Sequence, residues 1–196
     1  MKMLVGLTGK TGSGKSSAAR IFEGLGAFVA DCDKIARKVI CDNAVKSKIL
    51  ENFSGAVFDE DGSVNRKKLG EVVFSDNEKL LALNSIMHGA IIDEALSLCE
   101  GSGKDICIID GSELEASGID NKCDRVIVVT ADESVRLARI MLRDGIDKES
   151  ALKRIRAQKD YSKEAIFISN NQSPDMLESE ITSLFNKFCG EINDNK

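Results

Sequence analysis

The run Gly9-Lys10-Thr11-Gly12-Ser13-Gly14-Lys15-Ser16 constrains the fold more than any other part of the chain, because of what stands on either side of it. It follows the unbroken apolar stretch Met3 to Leu7 and opens a helical pattern at Lys15. The spacing G-x-x-x-x-G-K-[ST] between a strand and a helix is that of a phosphate loop. Its glycines let the backbone curl so that its N–H groups face phosphate oxygens, and the helix N-terminus adds partial positive charge. In this arrangement Lys15 reaches the β and γ phosphates of a nucleoside triphosphate, and Ser16 ligates Mg²⁺.

The rest of the chain supplies a sheet for that loop. Further short apolar runs stand at Ala27 to Ala30, Ile106 to Ile109, Val126 to Val129 and Ile166 to Ile168. They are continuous rather than alternating, as strands buried on both faces of a parallel sheet are. Helical patterns between them cover 15–23, 34–40, 44–53, 66–74, 77–99, 133–143, 148–157 and 175–189. Strand and helix in alternation imply an α/β fold of three layers, helices on both faces of a five-stranded parallel sheet. Between the second and third runs lie some 75 residues with no strong strand candidate, which predicts a helical insert, about 41–100. Pro174 stands where a last helix can begin, and the Asn/Asp/Lys stretch after Gly190 predicts a frayed end.

Composition excludes several alternatives. With 196 residues the chain suits one domain carrying small excursions. No apolar run approaches the roughly 20 residues of a membrane span, and Met3 to Leu7 is too short for a secretory core. A formal charge of −5 argues against a dedicated nucleic-acid binder. The cysteines, at 32, 41, 99, 107, 123 and 189, form no Cys-x-x-Cys pair, and His88 is the single histidine. They read as buried thiols of a reduced cytoplasm.

A phosphate loop alone leaves kinases, switch GTPases and mechanical ATPases open. Asn121-Lys122-Cys123-Asp124 spells a base-reading N-K-x-D, and Asp59-Glu60-Asp61-Gly62 spells D-x-x-G, but neither follows a buried strand, so both read as ordinary loop residues. The second apolar run ends in Asp31-Cys32-Asp33, whose period of two sets both carboxylates on one side at the end of a strand, where open α/β sheets bind ligands. A carboxylate there can accept a proton from an attacking hydroxyl or hold Mg²⁺ through water. Asp33 is equally placed to cap a helix starting at Lys34. Five of the nine arginines fall within 21 residues, and Arg136, Arg139 and Arg143 are spaced to share one helical face. Such a face can close over a nucleotide and exclude water; for Arg136 a solvated surface position is as good a reading.

Taken in order, the phosphate loop, Asp-Cys-Asp, helical insert and arginine lid resemble the dephospho-coenzyme A kinase family of P-loop kinases, over most of residues 3 to 171. The resemblance rests on Gly6-Leu7-Thr8-Gly9, Gly12 to Ser16, Asp31 to Asp33, Ile35-Ala36-Arg37, Asp61-Gly62, Asn65-Arg66, Leu69, Val73-Phe74-Ser75, Leu83-Asn84 running on to His88, Arg139, Arg143-Asp144-Gly145 and Ala157-Gln158. The chain departs from the family's pattern at His88-Gly89, where His-Pro is usual. It departs again after Asp110, where Gly111-Ser112-Glu113-Leu114-Glu115 replaces a usual Pro-Leu-Leu-Phe-Glu.

The resemblance implies an enzyme that uses ATP and Mg²⁺ to phosphorylate the ribose 3′-hydroxyl of dephospho-coenzyme A; the chain is expected to be cytoplasmic and a monomer, with an oligomer left open. It implies Asp33 as general base, aided by Lys15 and by Arg139 as a phosphate-gripping lid residue. ATP would be held by Gly9 to Ser17 and Arg143, and the acceptor by Thr8, Asp31, Arg66 and His88, with a lid at about 136–160. Two other readings remain open on the residues alone: a kinase for another small hydroxyl acceptor, such as a nucleoside or nucleotide, and a nucleotide-binding regulatory protein without transfer activity.

Overall fold

Apolar runs bounded by glycines and carboxylates become five strands in the computed structural model, which describes residues 2–194. The order of elements is β1 (Met3–Thr8), α1 (Lys15–Gly24), β2 (Phe28–Asp31), α2 (Cys32–Val39), α3 (Asn43–Phe53), α4 (Arg66–Phe74), α5 (Asn77–Gly101), β3 (Ile106–Asp110), α6 (Leu114–Ser117), β4 (Arg125–Thr130), α7 (Glu133–Asp144), α8 (Lys148–Arg156), β5 (Ile166–Ser169) and α9 (Pro174–Asp194). The strands form one parallel sheet in the order β2-β3-β1-β4-β5. Val5 stands beside Ile108 of β3, and Gly6 beside Val126 of β4. β1 is therefore central, and the loop that follows it leaves the sheet between the two strand ends where a parallel sheet binds ligands.

Period two along the strands assigns one face of the sheet to Met3, Val5, Leu7, Ile106, Ile108, Ile127 and Val129. Helices α1 and α9 cover that face with Ala18, Ala19 and Phe22 from one and Leu177, Ile181, Phe188 and Ile192 from the other. The Phe22 and Phe185 rings meet tilted, with centroids 6.5 Å apart. Burying each such side chain stabilises the fold by about 1.5–3 kcal/mol. This packing holds α1, and with it the start of the phosphate loop's helix, against the sheet. α9 runs on to Asp194 with Ile192 in the core, so the expected fraying after Gly190 does not occur; residues 195 and 196 lie outside the described part. The apolar side chain at 192, one turn beyond Phe188, is what carries the helix through a polar stretch.

The chain divides into two compact units: the segment ending at Ala30 joined with the segment starting at Gly101, and Asp31–Glu100. The second unit is built of helices and begins at Asp31. Within it α3 buries Val45, Ile49 and Phe53, and α4 buries Leu69 and Val73. Side-chain caps start these helices, Asp42 accepting from the Ala44 N–H and Asn65 from the Lys68 N–H. Between α3 and α4 the residues Asp59 to Gly62 form a tight turn closed by the Asp59 N–H to the Ser63 carbonyl at 2.9 Å, flanked by a Phe58–Val64 bridge. Asn121 to Asp124 is likewise structural: the Asp124 carboxylate accepts from the Leu4 N–H at 2.8 Å, and Cys123 donates to the Ile119 carbonyl. Both runs are ordinary loop residues engaged in local turns and caps.

Of the six cysteines, Cys99 and Cys107 are buried, while Cys41 is exposed, contrary to the buried reading of all of them. Cys41 follows the end of α2, past the last residue whose side chain faces inward. Among the described residues no helix is long and apolar enough to cross a membrane.

Candidate active site

The phosphate loop turns through two left-handed glycines, Gly12 at φ +78° and Gly14 at φ +98°. Both approach other parts of the chain too closely for a side chain. A Cβ on Gly12 would lie 2.9 Å from the Arg136 carbonyl oxygen, and one on Gly14 would lie 2.0 Å from Asn170 Nδ2. Gly14 is the N-cap of α1: the Ser17 and Ala18 amides return to its carbonyl at 2.9 and 3.1 Å, and the Lys15 and Ser16 amides ahead of them lie at the helix N-terminus, where an anion is favoured.

Lys15, the first residue of α1, pairs with the carboxylate of Asp110, the last residue of β3. Both side chains are shielded, at 16% and 10% exposure. Sequence reasoning placed Asp110 only at the head of an unusual segment. Its signal was nonetheless available: an acidic residue closing an apolar strand run, the same feature that singled out Asp31. Ser16 is exposed at the start of the helix, and the hydroxyl of Ser17 accepts from Arg20 at 3.4 Å. Thr8, which ends β1, is buried.

Three lid and strand-end residues stand behind the loop. Arg136 Nε donates to the Thr11 carbonyl at 3.0 Å, and Arg139 Nη1 donates to the Gly12 and Ser13 carbonyls at 3.3 and 3.4 Å. Arg139 Nη2 reaches the Asn170 carbonyl at 3.1 Å, and Asn170 Nδ2 donates to the Ser13 carbonyl at 2.7 Å. Arg136 is buried, not solvated, and burial pulls its basicity below the usual arginine range, against the attraction of Glu133 and Asp160. Asn170, just beyond β5, was not anticipated; a polar pair directly after a strand, Asn170-Asn171, is the sequence feature that marks it. Its neighbour Asn171 fixes the start of α7 by exchanging hydrogen bonds with Asp132.

The lid hairpin has its own small core of Ile140, Ala151 and Ile155, with Leu137, Met141 and Ile146 against it. Arg143 is exposed and engages Asp144 through two bonds, Nε at 2.7 Å and Nη2 at 2.9 Å, and Arg154 holds the same carboxylate at 2.6 Å. The hydrogen-bonded Arg143 guanidinium holds the Asp144 carboxyl below the usual carboxylate range, and Asp144 raises Arg143 in turn. Arg136, Arg139 and Arg143 thus run from buried to exposed along α7.

Beyond the lid, residues 158–163 lie along the edge of this unit. Gln158 Oε1 accepts from the Thr11 N–H at 2.6 Å, and Asp160 pairs with Lys10 at 2.5 Å. Tyr161 and Lys163 both donate to Asp120, at 3.0 and 2.6 Å, and Ser162 bonds to Glu115. The segment after Asp110, with its short helix α6, is therefore the anchor for the chain leaving the lid. Burial and the Asp120 carboxylate together push the Tyr161 hydroxyl well above the usual phenol range.

The remaining candidates lie in the helical unit. β2 ends at Asp31, and Cys32 already begins α2, so the expected strand alternation of Asp31 and Asp33 gives way to a helix turn. It is Asp31, not Asp33, that caps this helix, accepting from the Lys34 N–H at 3.0 Å. Burial raises the Asp31 carboxyl, but the bonds and charge of Lys34 outweigh it and leave it lowered. Asp33 is the second helical residue and is exposed. Arg66 opens α4, exposed, and His88 is half-buried near the middle of α5.

A family model described as dephospho-CoA kinase matches residues 3–174. A dephospho-CoA kinase of Fusobacterium nucleatum is 37% identical over 97% of this chain and 98% of that protein. One of Carboxydothermus hydrogenoformans is 33% identical over 94% of each. Among solved structures, TT1252 from Thermus thermophilus matches with a TM-score of 0.78 at 25% identity, covering 95% of this chain and 97% of that one. A dephospho-CoA kinase from Campylobacter jejuni matches with a TM-score of 0.65 at 27% identity, with the same coverages.

Proposed function

The chain belongs to the dephospho-CoA kinase family, a premise from which we propose how its residues divide the work of moving the ATP γ-phosphoryl to the ribose 3′-hydroxyl of dephospho-coenzyme A. The observation that carries the division is the separation of duties at Asp31 and Asp33. Asp31 is occupied as a helix cap, and Asp33, exposed one residue past the start of the helix, is left for chemistry. Asp33 is the general base: it takes the proton of the attacking hydroxyl as the new P–O bond forms and the bond to the ADP oxygen breaks. Because Asp31 already carries the cap, it supports this arrangement rather than binding the acceptor directly.

On the nucleotide side, the loop amides and the N-terminus of α1 hold the phosphates, and Lys15 follows the charge onto the transferring group. Lys15 does this by exchanging Asp110 for phosphate oxygens. The freed Asp110 carboxylate and the Ser16 hydroxyl are hard oxygen donors of the kind Mg²⁺ selects, so these two residues would hold the ion. Held there, the ion would offset negative charge on the nucleotide's phosphates. Arg139 serves the phosphates from behind, through the Gly12 and Ser13 carbonyls, Arg143 belongs to the lid over the triphosphate, and Arg66 and His88 to the acceptor. The chain's substrates are small molecules, ATP and dephospho-coenzyme A.

Replacing Asp33 with Asn tests the assignment. The expected result is a fall in kcat of about 10²–10⁴-fold with the KM for ATP within a few-fold of wild type. A near-normal kcat would remove Asp33 as the base.

A further inference from the structure

We infer that Arg136 is a positioning residue for phosphate binding: from within the lid helix it holds the Thr11 carbonyl outward and so turns the following amide toward the nucleotide. A trans peptide unit is planar, with its C=O and the next N–H pointing in opposite directions. A donor that captures the carbonyl of one residue therefore aims the amide of the next one away from that donor. Arg136 Nε on the Thr11 carbonyl aims the Gly12 amide, and Arg139 and Asn170 on the Ser13 carbonyl aim the Gly14 amide. The amides so aimed form the concave donor set that binds a phosphate. Gln158 holds the Thr11 N–H at 2.6 Å, so the preceding Lys10–Thr11 peptide is fixed as well and Arg136 acts on a loop anchored on both sides of Thr11.

Packing alone does not explain an arginine at this position. Arg136 is 7% exposed, and its Nη2 is buried with no hydrogen-bond partner. An apolar residue of the same length would fill the space without desolvating a cation or leaving a donor unmet. What the guanidinium contributes is Nε, at the fourth atom beyond Cα, bonded to a loop carbonyl. The contact is tight, since the Arg136 backbone already approaches Gly12 too closely for any side chain there. The lid helix is thus part of the loop's scaffold before any nucleotide arrives.

Two substitutions separate positioning from packing and from charge. Met has nearly the shape of Arg136 up to that fourth atom and carries no donor. Gln puts an N–H at the same bond distance from the backbone, without the charge. Tripolyphosphate, titrated into the protein by calorimetry in EDTA, reports the phosphate cradle with no base, acceptor or metal involved. Arg136→Met is expected to weaken tripolyphosphate binding, and to raise the KM for ATP, by about tenfold, the effect of one hydrogen bond from a charged group. Arg136→Gln is expected to restore both to within about threefold of wild type. The KM for dephospho-coenzyme A should stay within twofold in both variants. Wild-type affinity in the Met variant would overturn the inference, and so would a Gln variant as weak as Met, since charge alone would then be responsible. A parallel rise in both KM values with a fall in Tm would overturn it too, by showing a purely structural role. Because the calorimetry needs no acceptor, its result stands apart from the assignment of Asp33.

Discussion

Asp110→Asn tests the idea that Lys15 must be released before it can serve the nucleotide. The two side chains are paired at 16% and 10% exposure, shielded enough that the interaction is only weakly screened by salt. A hydrogen bond between two charged groups of this kind contributes about 1.5–3 kcal/mol, and the neutral Asn oxygen that replaces the carboxylate still accepts from Lys15 for about 1 kcal/mol. The variant therefore gives up about 0.5–2 kcal/mol of resting-state stabilisation, which nucleotide binding no longer has to overcome. In EDTA, where the proposed Mg²⁺ role of Asp110 is silent, ADP should bind about two- to thirtyfold more tightly to the variant. Removing a negative charge from the neighbourhood of a polyphosphate acts in the same direction. Isothermal titration calorimetry of ADP against both proteins, with thermal melts to confirm folding, reads this directly. Turnover with Mg-ATP should fall in the same variant, because the carboxylate is needed for the ion. Unchanged or weaker ADP binding in EDTA would refute the reasoning, since Lys15 would then have nothing to surrender.

Gly14→Ala should lower Tm and reduce ADP affinity at least tenfold by calorimetry, because it forces a side chain into φ +98° and onto Asn170 Nδ2, breaking that group's bond to the Ser13 carbonyl. The lid elbow should loosen in acid. Asp144 has a folded-state pKa depressed first by its bonds to Arg143, so its contribution is present above the unfolded value of about 4 and is lost as pH falls through the lower, folded one. Hydrogen-exchange protection of the α7–α8 amides, corrected for intrinsic rates, should fall across that range in the wild type and fall less in Asp144→Asn, where the Asp147 cap of α8, also held below the usual carboxylate range by its Ser150 bonds, still titrates. Tyr161→Phe removes one of the donors to the buried Asp120 and should cost about 1 kcal/mol in urea unfolding.

Most of the fold was legible because its elements carry local signals. All five strands are apolar runs, and the observed ends extend each run by one residue, into Thr8, Asp31, Asp110, Thr130 and Ser169. Those added residues are polar, so hydropathy stops short of them, yet two of them, Asp31 and Asp110, turn out to matter for the site. Helix α6 was missed because Leu114–Ser117 is a single turn, too short for a 3.6-residue pattern to show.

The loop itself was legible to the residue, since its chemistry lies in one contiguous stretch. What holds the loop was not. Gln158, Asn170 and Arg136 reach it from 147, 157 and 125 positions away, and no local pattern encodes such contacts. Asp31 and Asp33 show the converse limit. Their spacing was read with a strand's period, but the chain turns helical at Cys32, and only the hydrogen bond to Lys34 decides which carboxylate is the cap.

The central claim is that this chain phosphorylates dephospho-coenzyme A, and a direct product assay tests it. The purified protein is incubated with Mg-ATP and, separately, dephospho-coenzyme A, nucleosides and nucleoside monophosphates; ADP release is followed and the product examined by phosphorus NMR. The account predicts ADP formation that depends on dephospho-coenzyme A and a new phosphomonoester on its ribose 3′ oxygen. ADP formation that depends on a nucleoside or nucleotide instead, or ATP binding with no acceptor-dependent turnover, would contradict it.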